Sequence, residues 1–435
     1  MFRRWSLFLG WLVASCTTPL PAPEAVQTAT IPATSIPNLL PTTSVAAGSV
    51  TGDTEITVAE PTTLKLWLPP GFAPDPDTAA GKLFLAQLDS FSENNPGVQV
   101  DVRVKSIIGD GGIVDSMRTA SVAAPGALPD LIVVAIPTLR TIAREDLILT
   151  LDGLFPTEII GDYYGPLLED ARIDGDLLGL PFASDAQVLV YSTTLYASPP
   201  ATWADVLQGD GLYLFPAMDQ QALASLHQYI ALGGQLTDDN GNLVLENSAL
   251  QEVFNYYAEA RNASLISSRS LGAATDFEAW VGYKEKQAAL AITSARIYLS
   301  ERDLVVNTDA TVIPTRDGNR LALAESWYYV LGRTDASRQP LSLALFNWLT
   351  APENLSAWSL QAGYLPTRPS AVVLWPSESL AAFAAEVMSA ARPRPSNLLL
   401  SSIGPSLFTG VDQILRGQIT PPAAAESVID ALQSQ

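Results

Sequence analysis

The sequence predicts an α/β protein of two domains behind a separate N-terminal zone. Three observations carry this. Apolar strands and amphipathic helices alternate from residue 64 onward, the rhythm of a sheet wrapped by helices. About 375 residues lie beyond residue 60, more than one hydrophobic core normally serves. Residues 17–60 contain no Lys, no Arg and no aromatic residue, so they are set apart from the body.

At the N-terminus, Arg3 and Arg4 precede the apolar run Trp5 to Ala14. A short positive region before a short apolar core is the pattern of an export signal. The run is about half the ~20 residues that span a bilayer as a permanent helix. It ends in Val13-Ala14-Ser15-Cys16, which resembles the bacterial lipobox. That resemblance implies that residues 1–15 are removed as a signal peptide and that Cys16 is lipidated. The alternatives are an ordinary signal peptide that happens to contain a cysteine, or an uncleaved anchor. Cys16 is the only cysteine in the chain, which excludes a disulfide, a zinc-thiolate site and a cysteine nucleophile from the body. Residues 16–60 then hold the lipidated cysteine and a Thr/Pro-rich linker. Such a composition cannot bury enough apolar surface to offset ordering, so it is expected to be a disordered tether.

The body reads in order. Leu64 to Leu68 alternates as a strand, and a Pro/Gly/Asp loop covers 69–77. Leu83, Phe84, Gln87, Leu88 and Phe91 recur at helical spacing until Asn94-Asn95-Pro96-Gly97 stops them. Val98 to Val104 alternates strictly, a strand with one wetter face. A helix is expected over 112–124, and the continuously apolar Leu131 to Ala135 reads as a buried parallel strand. Residues 180–192 form an extended segment leaving this doubly wound lobe. Thr202 and Asp205 make a capping box. Helices dominate 217–263. Ala288 to Ile292 is a buried strand, with Ser294 as the N-cap of a helix beyond it. Trp327 to Leu331 is another strand. Helices over 338–349 and 351–361 meet at Thr350-Ala351-Pro352.

Composition bounds the partners. A formal net charge of −21 opposes nucleic-acid binding, which needs a basic surface. Only 16% of residues are charged, and no second hydrophobic run is read as membrane-spanning. Asp110-Gly111-Gly112 lacks the Lys-Ser/Thr of a phosphate loop. The acidic stretch Asp238, Asp239 and Glu246 reads as a turn and does not match an EF-hand. His227, the single histidine, is expected to be structural or on the surface, and it sits in no nucleophile–base context. No cofactor is expected.

The stretches LKLWLPPGF, LAQLDSFSENNPGVQVDVRV, ALPDLIVV, DGDLLGLPFASDAQVLVYS, PPATWADVL, KQAALAITSARIYL and NWLTAPENLSAWSLQAGYLPTRPSA carry a resemblance in their order. The chain resembles the extracellular solute-binding proteins of bacterial ABC importers, in the sugar-binding-type cluster. The resemblance implies a two-lobed, periplasmic-binding-protein-like fold with several interlobe crossings. It places lobe 1 at 61–185 with a return segment at 293–332, and lobe 2 at 186–292 and 333–435. It further implies a lipid-anchored, extracytoplasmic, monomeric receptor. Such a receptor captures a carbohydrate or similar polar solute and delivers it to a membrane permease, without turnover. A surface-anchored glycoside hydrolase, or a scaffold or adhesin lipoprotein on the same fold, stays open.

A sugar-like ligand needs flat aromatic faces for its C–H surfaces and planar polar groups for its hydroxyls. The candidates are Trp67 at the end of the first strand, Ser184 and Asp185 on the first crossing, and Trp280 and Ser294 near the return crossing. Trp327, Tyr364 and Arg368 complete the set. Each has a bland alternative: core packing for the tryptophans and capping for Ser294. Hinge bracing is the alternative for Asp185, and a carboxylate pair for Arg368.

Overall fold

The computed structural model describes residues 62–238 and 240–434. The export signal, Cys16, the tether and Asp239 lie outside the described residues.

The first lobe opens as expected. β1 (Thr62–Leu68) pairs in parallel with β2 (Val98–Val104) on one side and β3 (Leu131–Ala135) on the other. The strict alternation of β2 suits its place at the sheet edge, where Val98 is buried and Val104 is half exposed. The unbroken apolar run of β3 suits a strand enclosed on both faces. The helix Ala79–Asn94 starts where the Thr78 hydroxyl accepts from the Gly81 amide. It buries Phe84, Leu88 and Phe91 against the sheet.

A short hairpin, β4 (Arg172–Ile173) and β5 (Asp176–Leu177), precedes β6 (Leu180–Ser192). The remaining strands are β7 (Tyr213–Leu214), β8 (Leu290–Ser294), β9 (Thr308–Thr311), β10 (Ala322–Leu331) and β11 (Ala391–Pro393). The main sheet runs β2-β1-β3-β10-β6-β8-β7, with β9 against β6 and β11 against β10. Two long strands make it continuous. The first half of β6 pairs with β10 and its second half with β8 and β9. The last half of β10 pairs with β3.

Burial follows that split. Leu180, Phe182 and Ala183 belong to the first lobe's core, whereas Val188, Leu189 and Val190 belong to the clusters of the second. β10 crosses back the other way, from Ala322 and Leu323 to Tyr328 and Tyr329. Residues 364–372 cross a third time.

This corrects the expected partition. Leu345, Phe346, Leu349, Leu355 and Tyr364 complete the first core, so the segment after 333 serves lobe 1 before it enters lobe 2. Ala295, Tyr298, Leu299 and Val312 pack in the second lobe, although 293–332 was expected in the first. Apolar faces of helices look alike in sequence, and only packing assigns them to a sheet.

The helix Asn397–Leu415 is long and apolar enough to cross a membrane by composition. Leu400, Ile403, Leu407, Val411 and Ile414 instead fill the second core against Phe254 and Tyr257.

Candidate functional site

The crossings bring four distant segments together. Ser184 and Leu365 exchange backbone hydrogen bonds at 3.1 and 2.9 Å. The Ser184 and Ser326 hydroxyls meet at 3.0 Å. The backbone amide of Arg296 donates to the Asp185 carboxylate at 3.0 Å. Gly363 closes its helix at φ 73°, and an added Cβ there would lie 2.3 Å from the Ser300 hydroxyl. Only glycine meets both demands, the left-handed turn and the close approach of the helix Ala295–Glu301.

On the first-lobe side stands an aromatic wall. The Phe72 ring lies 5.1 Å from Phe182, 5.3 Å from Trp327 and 5.2 Å from Tyr364, centroid to centroid. Trp358 stacks on Tyr364 at 5.7 Å and 10°. The Arg296 guanidinium caps Tyr364 from the second lobe, 4.6 Å from the ring centroid. Phe72, Phe182, Trp358 and Tyr364 line a pocket of about 270 Å³ whose polar lining includes Asp75, Thr78 and Gln361. Trp327, Trp358 and Phe72 keep part of their surface open to solvent.

On the second-lobe side stands a polar floor. Asp185 accepts from the amides of Ala186 and Arg296 and from the Ser294 hydroxyl. Burial outweighs these bonds and pushes its carboxyl up to about 6. Gln187 donates to Asp276 at 2.6 Å. Burial, with the charges of Asp185 and Asp219 adding to it, pushes Asp276 up to about 7. Arg394 reaches Glu325 at 3.3 Å and also donates to Gln221. The turn carrying Gln221 is strained, since Ala222 sits at φ 48°.

Residues 86–385 match the sequence profile of the bacterial extracellular solute-binding proteins, more than half of the chain. The chain belongs to that family. Solved structures agree in fold. The cyclic α-maltosyl-1,6-maltose binding protein of Arthrobacter globiformis superposes with a TM-score of 0.67 at 16% identity, over 86% of this chain and 98% of that one. The sugar-binding protein MalE of Xanthomonas citri gives 0.66 at 17% identity, over 86% and 98%. MalE of Listeria monocytogenes, solved with maltose, gives 0.65 at 16% identity, over 86% and 97%. Membership places this solute-binding protein outside the cytoplasm.

Within this solute-binding protein, five of the eight expected site residues gather at the crossings: Ser184, Asp185, Ser294, Trp327 and Tyr364. Two of them are spent on the scaffold. Ser184 is fully buried against Ser326, and Ser294 caps its helix through the Ile297 amide while bonding Asp185. Tyr364 is 3% exposed, a layer within the wall more than a free face.

The other three do not join the cleft. Trp67 is a core residue of β1, with the Lys105 ammonium 5.0 Å from its ring centroid. Trp280 has no exposed surface, stacks on Tyr283 and donates to Glu301 at 2.7 Å. Arg368 is locked between Asp162 at 2.8 Å and the Thr350 carbonyl at 2.6 Å. His227 is structural and lies in the interior, on the Leu321 carbonyl at 3.0 Å. Burial pushes it down to about 4, so it is neutral at physiological pH.

Sequence reading missed Phe72, Gln187, Asp276, Arg296, Trp358 and Arg394. Phe72, Gln187, Arg296 and Trp358 lie inside stretches that carried the family resemblance, yet nothing local distinguishes them from packing or surface residues.

Proposed function

We propose that this solute-binding protein captures a carbohydrate, or a solute of similar polarity, between its lobes and delivers it to the permease of an ABC importer without chemical turnover. The observation that carries this reading is the pairing of an aromatic wall with a carboxylate and amide floor at the crossings. Rings take the C–H faces of a sugar, and planar acceptors take its hydroxyls. The maltose-type ligands named for structural relatives support the same class. β6 and β10 serve both lobes, so the lobes can close by bending a few backbone positions at the crossings. Ligand drives closure only by binding the closed form better.

A saccharide screen by thermal shift tests this. At 100 times its Kd, a bound ligand adds about 2.7 kcal/mol and raises the melting temperature by several degrees. If no mono- or oligosaccharide at millimolar concentration moved the transition, the reading would fail. Asp185 and Asp276, both raised in pKa, are what an acid–base pair would also display. Release of reducing sugar from the bound oligosaccharide would therefore favour a hydrolase instead.

The lipobox resemblance supports attachment to the membrane through Cys16, with residues 17–60 as tether. Cys16→Ala should release the body into the medium with saccharide affinity unchanged. Cell fractionation and calorimetry on the released chain check both halves. Retention on the membrane would end the anchor assignment.

A further inference from the structure

The polar floor holds three carboxylates that no cation contacts directly among the described residues. Asp185 is bonded by backbone amides and the Ser294 hydroxyl, Asp219 by the amides of Gln221 and Leu223, and Asp276 by the Gln187 amide. Among the described residues none of the three forms an ion pair. The two nearby guanidiniums are engaged elsewhere, Arg394 with Glu325 and Gln221, and Arg296 over Tyr364. Partly buried carboxylates without a directly paired cation are costly, and the more distant charges of Arg394 and Arg296 offset that cost only in part for Asp276 and Asp185.

Gln187 adds an independent observation. It is 7% exposed, and its amide is turned into this group, with Nε2 donating to Asp276 at 2.6 Å. Its Oε1 is buried and accepts from nothing. Buried acceptors almost always have a donor, so this one asks for a donor from outside the chain. Among the described residues, no three carboxylates or imidazoles stand close enough to hold a metal ion.

We propose that this floor binds a protonated amine, so that the saccharide taken into the cleft carries a free amino group. The proposal rests on the carbohydrate reading above. An ammonium brings three N–H donors and the missing charge. The same floor repels uronates and phosphorylated sugars, because the ligand's charge would meet Asp185, Asp219 and Asp276. The raised Asp185 and Asp276 support it through linkage. Asp219 and Arg394 act on Asp276, while Arg296 and Ser294 act on Asp185. A bound ammonium favours both carboxylate forms, so binding near pH 6.5 should release protons.

Calorimetry on the full-length chain compares three probes: the disaccharide of glucosamine with free amines, its fully N-acetylated counterpart, and digalacturonate. The amine form should bind at least about tenfold tighter than the acetylated form, and the uronate should not bind. Titration in two buffers of different ionisation heat should register proton release for the amine form alone. In Asp185→Asn/Asp276→Asn the gap should shrink to about threefold or less. Equal or tighter binding of the acetylated or anionic probe, or a gap unchanged in the double variant, overturns the amine proposal and leaves the carbohydrate reading standing. Silence from all three probes and from neutral maltose-type saccharides would remove the carbohydrate reading itself.

Discussion

Arg368→Ala should destabilise the fold by about 3–5 kcal/mol, the cost of breaking a buried ion pair from one side. Arg368 is 7% exposed. Its Nε meets Asp162 at 2.8 Å, one terminal nitrogen meets the Thr350 carbonyl at 2.6 Å, and the guanidinium lies 5.2 Å from the Tyr163 ring centroid. Removing it leaves the Asp162 carboxylate without its countercharge and the Thr350 carbonyl without its donor. Asp162 also holds the Ser370 amide at 3.2 Å, so the third crossing loosens with it. Urea unfolding at constant m-value reads the loss as a lower midpoint. Arg368→Met keeps the apolar stem but not the charge, and it should recover little. A loss below about 1 kcal/mol, with saccharide affinity falling instead, would restore Arg368 to the ligand site.

Trp358→Ala should weaken saccharide binding about 30-fold, roughly 2 kcal/mol, the typical loss for an aromatic anchor in a binding pocket. Trp358 lines the pocket, stacks on Tyr364 at 5.7 Å and lies 5.4 Å from Phe182. Its removal takes away a partly exposed aromatic plane of the pocket and loosens the stack beside it. Trp280→Phe is the matched control. That residue is fully buried, so the change should cost stability through the lost Glu301 bond and leave Kd within about twofold. The two variants trading places, with Trp280→Phe abolishing binding and Trp358→Ala silent, would refute this site.

The two tryptophans also mark how far the sequence could be read. Trp67 sits in an apolar run, whereas Trp280, Trp327 and Trp358 have both apolar and polar neighbours in the chain. Period and neighbours place each on a strand or helix without saying which face meets solvent. Trp67 and Trp280 went to the cores, while Trp327 and Trp358 went to the wall. Asp185 was legible because the family resemblance set it, with Ser184, on the first crossing between the lobes. Asp276 was not, because a carboxylate in a helix's first turn is ordinary.

Local physics is what the chain states by itself. The capping box of Thr202 and Asp205, the N-cap of Ser294 and the left-handed stop at Gly363 depend on residues three or four apart. The alternation of strand and helix depends on hydrophobic period over a dozen residues. Those signals determined the elements and their order. The tertiary structure alone decided which lobe each segment serves and which side chains share the cleft. Two strands, β6 and β10, each belong to both lobes, and their crossing brings Phe72, Trp327 and Trp358 together on one side and Asp185 and Asp276 on the other. Proximity between residues hundreds of positions apart is a product of chain folding, and no local pattern encodes it.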